Sequence, residues 1–345
     1  MPDLKLAVVG ATGAVGPEVL RVLEQRKFPA TEVVAFASAR SAGTRVAFAG
    51  TELEVRELTA DALEGFDLAL FSAGAGTSRT FAPEAVARGC VVVDKSSAYR
   101  MDPEVPLVVP EVNATAIDSH NGIVANPNCS TIQFVAVLKP LLDAVGLNHV
   151  TVATYQAVSG TGTKAMDELE AQTRAVIAGE PVEATVYPHQ IAFNALPHCD
   201  VFDDDGNTQE ETKLVRESRK ILAQPGLPIS ATCVRIPVLR GHSEAVWIET
   251  AEPISPDAAR ELLARAPGVS VIDDPAANRY PTPLEAAGED EVFVGRIRRD
   301  ESRPNGLALW IVADNLRKGA ATNGVQIAEV LVERDLVRVP GAAAA

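Results

Sequence analysis

Apolar positions in the first third of the chain fall into short solid runs separated by stretches with helical spacing. Leu4–Val9, Val33–Ala37, Leu68–Ser72 and Val91–Asp94 are continuous apolar or β-branched runs, the pattern of strands buried on both faces. Between them, residues 17–26 repeat Val19, Leu20, Val22 and Leu23 at helical intervals, and residues 80–88 read as a second helix. Strands alternating with helices imply a doubly wound parallel sheet of the dinucleotide-binding kind. After Asn128 the pattern changes. Residues 130–142 form a strongly apolar helix, 150–158 a strand, and 164–178 a helix that should stop at Gly179. A loop rich in Pro, Tyr and His runs from 181 to 205, and a helix over 208–222 opens with Thr208 and Glu211 at capping-box spacing. Strands are expected over 230–239, 243–251, 291–298 and 307–313, with a helix over 256–265, which describes an α+β second domain. An apolar-periodic helix over 320–333 is expected to return to the first domain, and residues 340–345 read as a frayed tail.

Composition narrows the functional classes. The 345 residues carry 31 basic and 46 acidic side chains, a net charge of −15, which argues against non-specific nucleic-acid binding. No apolar stretch reaches the ~18 residues of a membrane span. The first strand begins almost at once, without the basic start and long apolar stretch of a signal peptide. Four cysteines without CxxC pairing suggest neither a disulfide framework nor a metal site, so a reduced, cytoplasmic setting is expected.

Four segments carry chemistry. Gly10-Ala-Thr12-Gly13-Ala14-Val15-Gly16 lies between the first strand and first helix, where glycines let the backbone approach a pyrophosphate and the helix terminus supplies amides. Its spacing is GxxGxxG instead of the commoner GxGxxG. The second strand ends in Ser38-Ala-Arg40-Ser41 without the acidic residue that would accept the ribose hydroxyls of NAD, so NADP is the expected cofactor. Asn126-Pro-Asn128-Cys129-Ser130 sets Cys129 at a helix start, where amides and dipole favour a thiolate nucleophile. Cys90, Cys199 and Cys233 read as buried small hydrophobes. Arg235 interrupts an apolar strand and suits a carboxylate or phosphate; His242 follows Gly241 in a turn, where a histidine alone is more often structural than catalytic, and its nearness to Arg235 in the chain makes it a candidate proton carrier.

With these residues in view, the chain resembles aspartate-β-semialdehyde dehydrogenase over almost its whole length. The matching stretches are GATGAVG from Gly10, FASARSAG from Phe36, LFSAG from Leu70, SSAYR from Ser96, NPNCS from Asn126, YQAVSGTG from Tyr155, CVRIPV from Cys233, GH at Gly241 and DNLRKGAA from Asp314. Lys95 stands where many members have an asparagine. The resemblance implies a Rossmann-like NADP-binding domain from residues 1–128 with 314–345, and an α+β catalytic and dimerisation domain over 129–313. It also implies a homodimer, with a tetramer as the alternative assembly. By the same resemblance Cys129 is the nucleophile and His242 the acid/base. Gln156, Arg235 and Glu210 bind substrate, Arg235 through its carboxylate and Glu210 through its amino group, while Arg100 and Lys213 hold phosphate. Gly10, Thr12, Gly13, Ala14, Val15, Arg40, Ser41, Ser159, Gly160 and Asn315 contact the cofactor, and no metal is implied. Without the resemblance, Glu210 and Lys213 read as a surface ion pair at i,i+3.

The implied reaction is NADPH-dependent reductive dephosphorylation of L-aspartyl 4-phosphate to the semialdehyde, in the biosynthesis of lysine, threonine, methionine and isoleucine. Competing readings on the same scaffold are an N-acetyl-γ-glutamyl-phosphate reductase, a CoA-thioester reductase, glyceraldehyde-3-phosphate dehydrogenase and a non-catalytic paralogue. A dead paralogue should have lost Cys129 or His242, and both are present.

Overall fold

The computed structural model describes residues 4–340, so the expected tail lies outside the described residues from 341 onward. The chain divides into two compact units, one running to Asn128 and resuming at Ala320, the other Cys129–Gly319. In the first unit the strands are β1 (Lys5–Val9), β2 (Glu32–Ala37), β3 (Arg45–Phe48), β4 (Thr51–Glu54), β5 (Arg56–Glu57), β6 (Leu68–Phe71), β7 (Val91–Asp94) and β8 (Ile123–Ala125). Among the described residues, six of them form one parallel sheet in the order β5-β2-β1-β6-β7-β8. Leu6–Val9, Leu68–Phe71 and Val91–Val93 are buried throughout, as a sheet covered on both faces requires. The covering helices include α1 (Gly16–Gln25), α2 (Ala75–Ala87) and the short α3 (Pro110–Asn113). The strand order reverses between β1 and β6, which is where such sheets bind ligands, outside the carboxyl ends of the strands.

Two features of this unit differ from the expectation. β3 and β4 make a short antiparallel hairpin of exposed and half-buried residues. Its turn, Ala49-Gly50, takes positive φ at both positions, the geometry that suits the twist of a two-residue hairpin. α2 starts at Ala75, earlier than the expected 80, because its first turn, Ala75-Gly-Thr-Ser78, has no apolar periodicity.

The second unit opens with α4 (Cys129–Val145) and β9 (Leu147–Gln156). It continues through α5 (Thr163–Ala178), α6 (Gln209–Ile221), β10 (Ile229–Arg235), β11 (His242–Thr250), α7 (Pro256–Leu263), β12 (Val269–Val271), α8 (Pro283–Ala286), β13 (Val292–Asp300) and β14 (Gly306–Ala313). Its mixed sheet has the order β10-β9-β11-β14-β13-β12. α4 is buried from Ser130 to Leu138 and packs on the sheet, α6 and α7, so it forms the centre of this core. The opposite sheet face carries Ala153, Tyr155, Ala245, Trp247 and Trp310, all partly exposed, with the Tyr155 and Trp310 rings 5.5 Å apart. The capping box at Thr208 and Glu211 forms as the spacing predicts, and α5 ends at Gly179 with φ 70°. β10 stops at Arg235, short of the expected 239, because Pro237 has no N–H to give a ladder. The last helix, α9 (Asn323–Glu333), rejoins the first unit, where Arg26 grips Glu329 with two 2.7 Å hydrogen bonds.

Residues 314–319, expected with the nucleotide-binding domain, belong instead to the second unit. The cause is Asp314, fully buried at the end of β14. Its carboxylate accepts from Arg240 Nε at 2.5 Å, from the Gly288 N–H at 2.7 Å and from the Leu316 and Arg317 N–H groups at 2.8 and 3.1 Å. Arg317 then pairs with Asp290 at 2.9 Å. Removing the carboxylate would strand a mostly buried guanidinium and three amides. Asp314→Ala is therefore expected to lose about 3 kcal/mol of stability, read as a lower urea midpoint. An unchanged midpoint would show that this anchor is dispensable.

Candidate functional site

In the first unit, Gly10 follows β1 directly and sits where the sheet order reverses. Its φ is +85°, and a Cβ there would lie 2.8 Å from the Ser72 carbonyl carbon after β6. At Gly16 a Cβ would lie 2.4 Å from the Ala11 backbone, so the start of α1 can approach β1 only with glycine. Thr12 and Gly13 are exposed, Ala14 is partly exposed, and Val15 is buried. The turn thus presents backbone at the N-terminus of α1, the arrangement that receives a pyrophosphate. Past β2, Arg40 is exposed in a single turn over Ala39–Ser41, and no acidic residue occurs between Val33 and Glu52. These residues fit a dinucleotide cofactor. Arg100 is buried, its Nε donating to the Asn126 carbonyl at 3.0 Å and Nη2 to that of Lys95 at 2.6 Å. The turn leading to it is held by Asp94, whose carboxylate takes 2.7 Å hydrogen bonds from the Ser78 and Ser96 hydroxyls.

In the second unit, Cys129 is the first residue of α4 and is partly exposed. The other cysteines are buried. Burial pushes the Cys199 thiol up to about 12 and raises those of Cys90 and Cys233 further, so none of the three is a nucleophile near neutral pH. Gly319 lets the chain pass Cys129, since a Cβ there would stand 2.9 Å from the cysteine Cβ. Gln156, at the end of β9, donates to Ser130 Oγ at 3.0 Å and to Glu210 Oε1 at 3.3 Å. Glu210 lies 3.5 Å from Lys213 Nζ, which also pairs with Asp200. Burial works to raise the Asp200 pKa, but Lys213 holds it below the usual carboxylate value. What reads in the sequence as a surface pair is a half-buried cation shared by two carboxylates.

Ala157 ties the remaining groups together. Its carbonyl accepts Arg235 Nη1 at 2.6 Å, and its N–H donates to His242 Nδ1 at 3.0 Å. Arg235 is buried, its Nε has no partner, and it interacts electrostatically with Cys129 and Glu210. His242 is fully buried with Nε2 unpartnered, and burial and the Arg235 charge push its pKa well below 6.5. A Cβ on the exposed Gly160 would lie 3.1 Å from Arg235 Nη1 and 3.2 Å from His242 Nε2. Asn315 bonds Ser159 at 2.9 Å and accepts the Gly241 N–H at 2.9 Å, fixing the turn that carries His242.

Cys129, Gln156, Ser159, Gly160, Glu210, Lys213, Arg235, His242 and Asn315 thus belong to the second unit, and Gly10, Thr12–Val15, Arg40, Ser41 and Arg100 to the first. The sequence reading missed the Ala157 backbone and Tyr187. Tyr187 is nearly buried, donates to Thr161 Oγ1 at 2.9 Å and is electrostatically coupled to Arg235. Its loop is held by Glu168, which accepts the N–H groups of Thr185, Val186 and Tyr187. Its one signal in the sequence is an aromatic residue inside a polar loop.

Comparison with known proteins gives the family. Residues 5–120 match the family model described as semialdehyde dehydrogenase, NAD binding domain, and residues 138–318 match the semialdehyde dehydrogenase dimerisation domain. The cofactor class is therefore a nicotinamide dinucleotide. The aspartate-semialdehyde dehydrogenase of Aquifex aeolicus is 55% identical, covering 96% of this chain and 99% of that one. The Bacillus subtilis protein of the same name is 52% identical, covering 97% and 99%. The crystal structure of aspartate semialdehyde dehydrogenase II from Vibrio cholerae, complexed with ASA, superposes with a TM-score of 0.92 at 44% identity, covering 96% and 99%. The Candida albicans enzyme with NADP gives 0.75 at 26% identity, covering 97% and 99%. On these matches the chain is an enzyme of the aspartate-semialdehyde dehydrogenase family, to which it belongs.

Proposed function

We propose that this enzyme reduces L-aspartyl 4-phosphate to L-aspartate 4-semialdehyde, with release of phosphate, through a thioester on Cys129. The observation that carries this reading is the half-exposed Cys129 at the start of α4, sharing one unit with a buried Arg235 that offers an unpartnered Nε. The Cys129 sulfur attacks the acyl carbon and the bond to phosphate breaks. Arg235 takes the substrate's α-carboxylate, which would satisfy its Nε. Glu210, poised by Gln156 and Lys213, takes the α-amino group. Arg100 and Lys213 hold the phosphate, and His242 Nε2 faces the substrate oxygen on which charge develops. Bound NADPH would supply the hydride that converts the thioester to the aldehyde. Thr12–Val15 and Arg40 with Ser41 would hold its phosphates, and Ser159, Gly160 and Asn315 are assigned to the same ligand.

The relatives do not favour the CoA-thioester and N-acetyl-glutamyl-phosphate readings. The product is expected to feed biosynthesis of the lysine, threonine, methionine and isoleucine group. A second copy of the chain is the proposed protein partner. The dimerisation-domain match and the uncovered aromatic face around Tyr155, Trp247 and Trp310 support it. No helix among the described residues is long and apolar enough to cross a membrane, and a cytoplasmic setting is proposed from the chemistry.

The reaction is tested by mixing aspartate semialdehyde, phosphate and NADP and following NADPH absorbance. Wild-type protein should turn over, whereas Cys129→Ser should be inactive with its fold and cofactor affinity intact. Activity retained in that variant would end the thioester reading.

Cofactor choice is tested separately at Arg40. A charge-assisted contact to the 2′-phosphate is worth about 1.5–3 kcal/mol, so NADP should be preferred over NAD by roughly ten-fold or more. Arg40→Ala is expected to raise KM for NADP and leave NAD turnover nearly unchanged. Equal kcat/KM for the two cofactors in the wild type would leave Arg40 an ordinary surface residue.

A further inference from the structure

We propose that the β3–β4 hairpin is a brace for the loop 38–44, and that Thr44 is a positioning residue holding Arg40 and Ser41 in the shape that selects NADP over NAD. The inference rests on the cofactor reading proposed above and adds to it the residues that build the loop.

Both ends of the loop are tied to one short segment, Val55–Leu58. At its start, the Ala37 carbonyl accepts the Leu58 N–H at 2.8 Å, beside the parallel pairing of β5 with the end of β2. At its end, the Val55 carbonyl accepts the Gly43 N–H, and the Val55 N–H donates to the Thr44 carbonyl, both at 2.8 Å. Val55 and Leu58 are buried and make a fixed point, whereas all of 38–44 except the half-buried Ser41 is exposed. A loop without buried side chains has no packing to set its shape, so its hydrogen bonds must do so.

The foot of the hairpin shows how. The ladder pairs Phe48 with Thr51 and runs down to Arg45 with Glu54, so Thr44 opposite Val55 would be its next step. Instead Gly43 takes the Val55 carbonyl, two residues face one, and Gly43 has a φ of +81°. This is a bulge built on a left-handed glycine, a device that re-aims side chains beside functional sites. It releases the Thr44 N–H, which turns back to the Ser41 carbonyl at 3.2 Å, and Thr44 Oγ1 donates to the same oxygen at 2.6 Å. The Ser41 N–H in turn donates to the Ser38 carbonyl at 2.8 Å, closing the turn over Ala39–Ser41 that carries Arg40. One hydroxyl outside the turn thus holds it in shape.

The far end of the hairpin is fixed to the pyrophosphate side. β3 packs on α1, and the Ala49 N–H at the hairpin tip donates to Glu24 Oε2 of that helix at 3.2 Å. α1 is the helix that opens at the glycine turn. A single hairpin therefore links the helix assigned to the pyrophosphate with the loop assigned to the 2′-phosphate. Arg45, the next cation along the chain, is engaged with Glu52 across the hairpin at 3.3 Å, which leaves Arg40 as the loop's charge for a ligand. Shaping the loop in advance removes an ordering cost from binding. NAD offers no phosphate for Arg40 to hold, so a loosened loop penalises NADP more.

The test compares Thr44→Val, which keeps the side-chain shape without the hydroxyl, with Thr44→Ser, which keeps the hydroxyl. Kinetics with each cofactor read selection, and deuterium exchange of the peptide spanning 38–44 in the cofactor-free protein reads the brace alone. Thr44→Val is expected to raise KM for NADP and lower the NADP-to-NAD ratio of kcat/KM roughly two- to ten-fold, the loss of one hydrogen bond. Thr44→Ser should restore the ratio. In an Arg40→Ala background, Thr44→Val should cost less, because both changes act on one contact. Exchange over 38–44 should be faster in Thr44→Val than in wild type. Equal losses with both cofactors, full additivity with Arg40→Ala, or unchanged exchange would each overturn the proposal. A wild type that uses NAD as well as NADP would overturn the cofactor reading, and selection with it, while exchange still decides whether the brace exists.

Discussion

The register of three strands in the second unit fixes both nitrogen-bearing side chains of the site. β9 lies between β10 and β11, with Gln156 opposite Arg235 and Tyr155 opposite Ser243. Where β9 ends, the peptide groups of Ala157 run on past the ladder and are free to bond Arg235 through the carbonyl and His242 through the N–H. Side chains alternate along a strand, so a slip of one residue in either pairing would send Arg235 or His242 to the opposite sheet face. The long, well-paired β9 and β11 are therefore what positions the chemistry.

This arrangement opposes stability locally. Arg235 Nε and His242 Nε2 are buried without partners in the free protein, and each such group costs on the order of 1–3 kcal/mol. α4 offsets that cost: nine consecutive residues, Ser130–Leu138, are buried against the sheet and neighbouring helices. The helix that presents the cysteine is thus also the centre of the unit's core.

Much of this was legible in the sequence because the relevant signals are local. Solid apolar runs gave the parallel sheet, the Thr208–Glu211 spacing gave the start of α6, and a polar turn before an apolar helix singled out Cys129. Arg235 stood out because it interrupts a strand. What was not legible depends on backbone or on distant partners. The β3–β4 hairpin offers only a short alternation, Val46 and Phe48 with Leu53 on the partner strand, and none of these residues is buried. Ala157 acts only through its peptide groups, which no side-chain pattern can announce. Residues 314–319 follow the second unit because of Arg240 and Asp290, which are remote in sequence from Asp314 and Arg317. Lys213 looked like half of a surface pair because its second partner, Asp200, lies 13 residues away.

The central claim is that one cysteine, Cys129, carries the acyl group. Rapid acid quench of the enzyme with aspartate semialdehyde and NADP, phosphate being withheld, followed by peptide mass spectrometry, tests it most directly. The account predicts an aspartyl thioester on the peptide containing Cys129, with Cys90, Cys199 and Cys233 unmodified. An adduct on another cysteine, or NADPH formation with no covalent species on any cysteine, would contradict it.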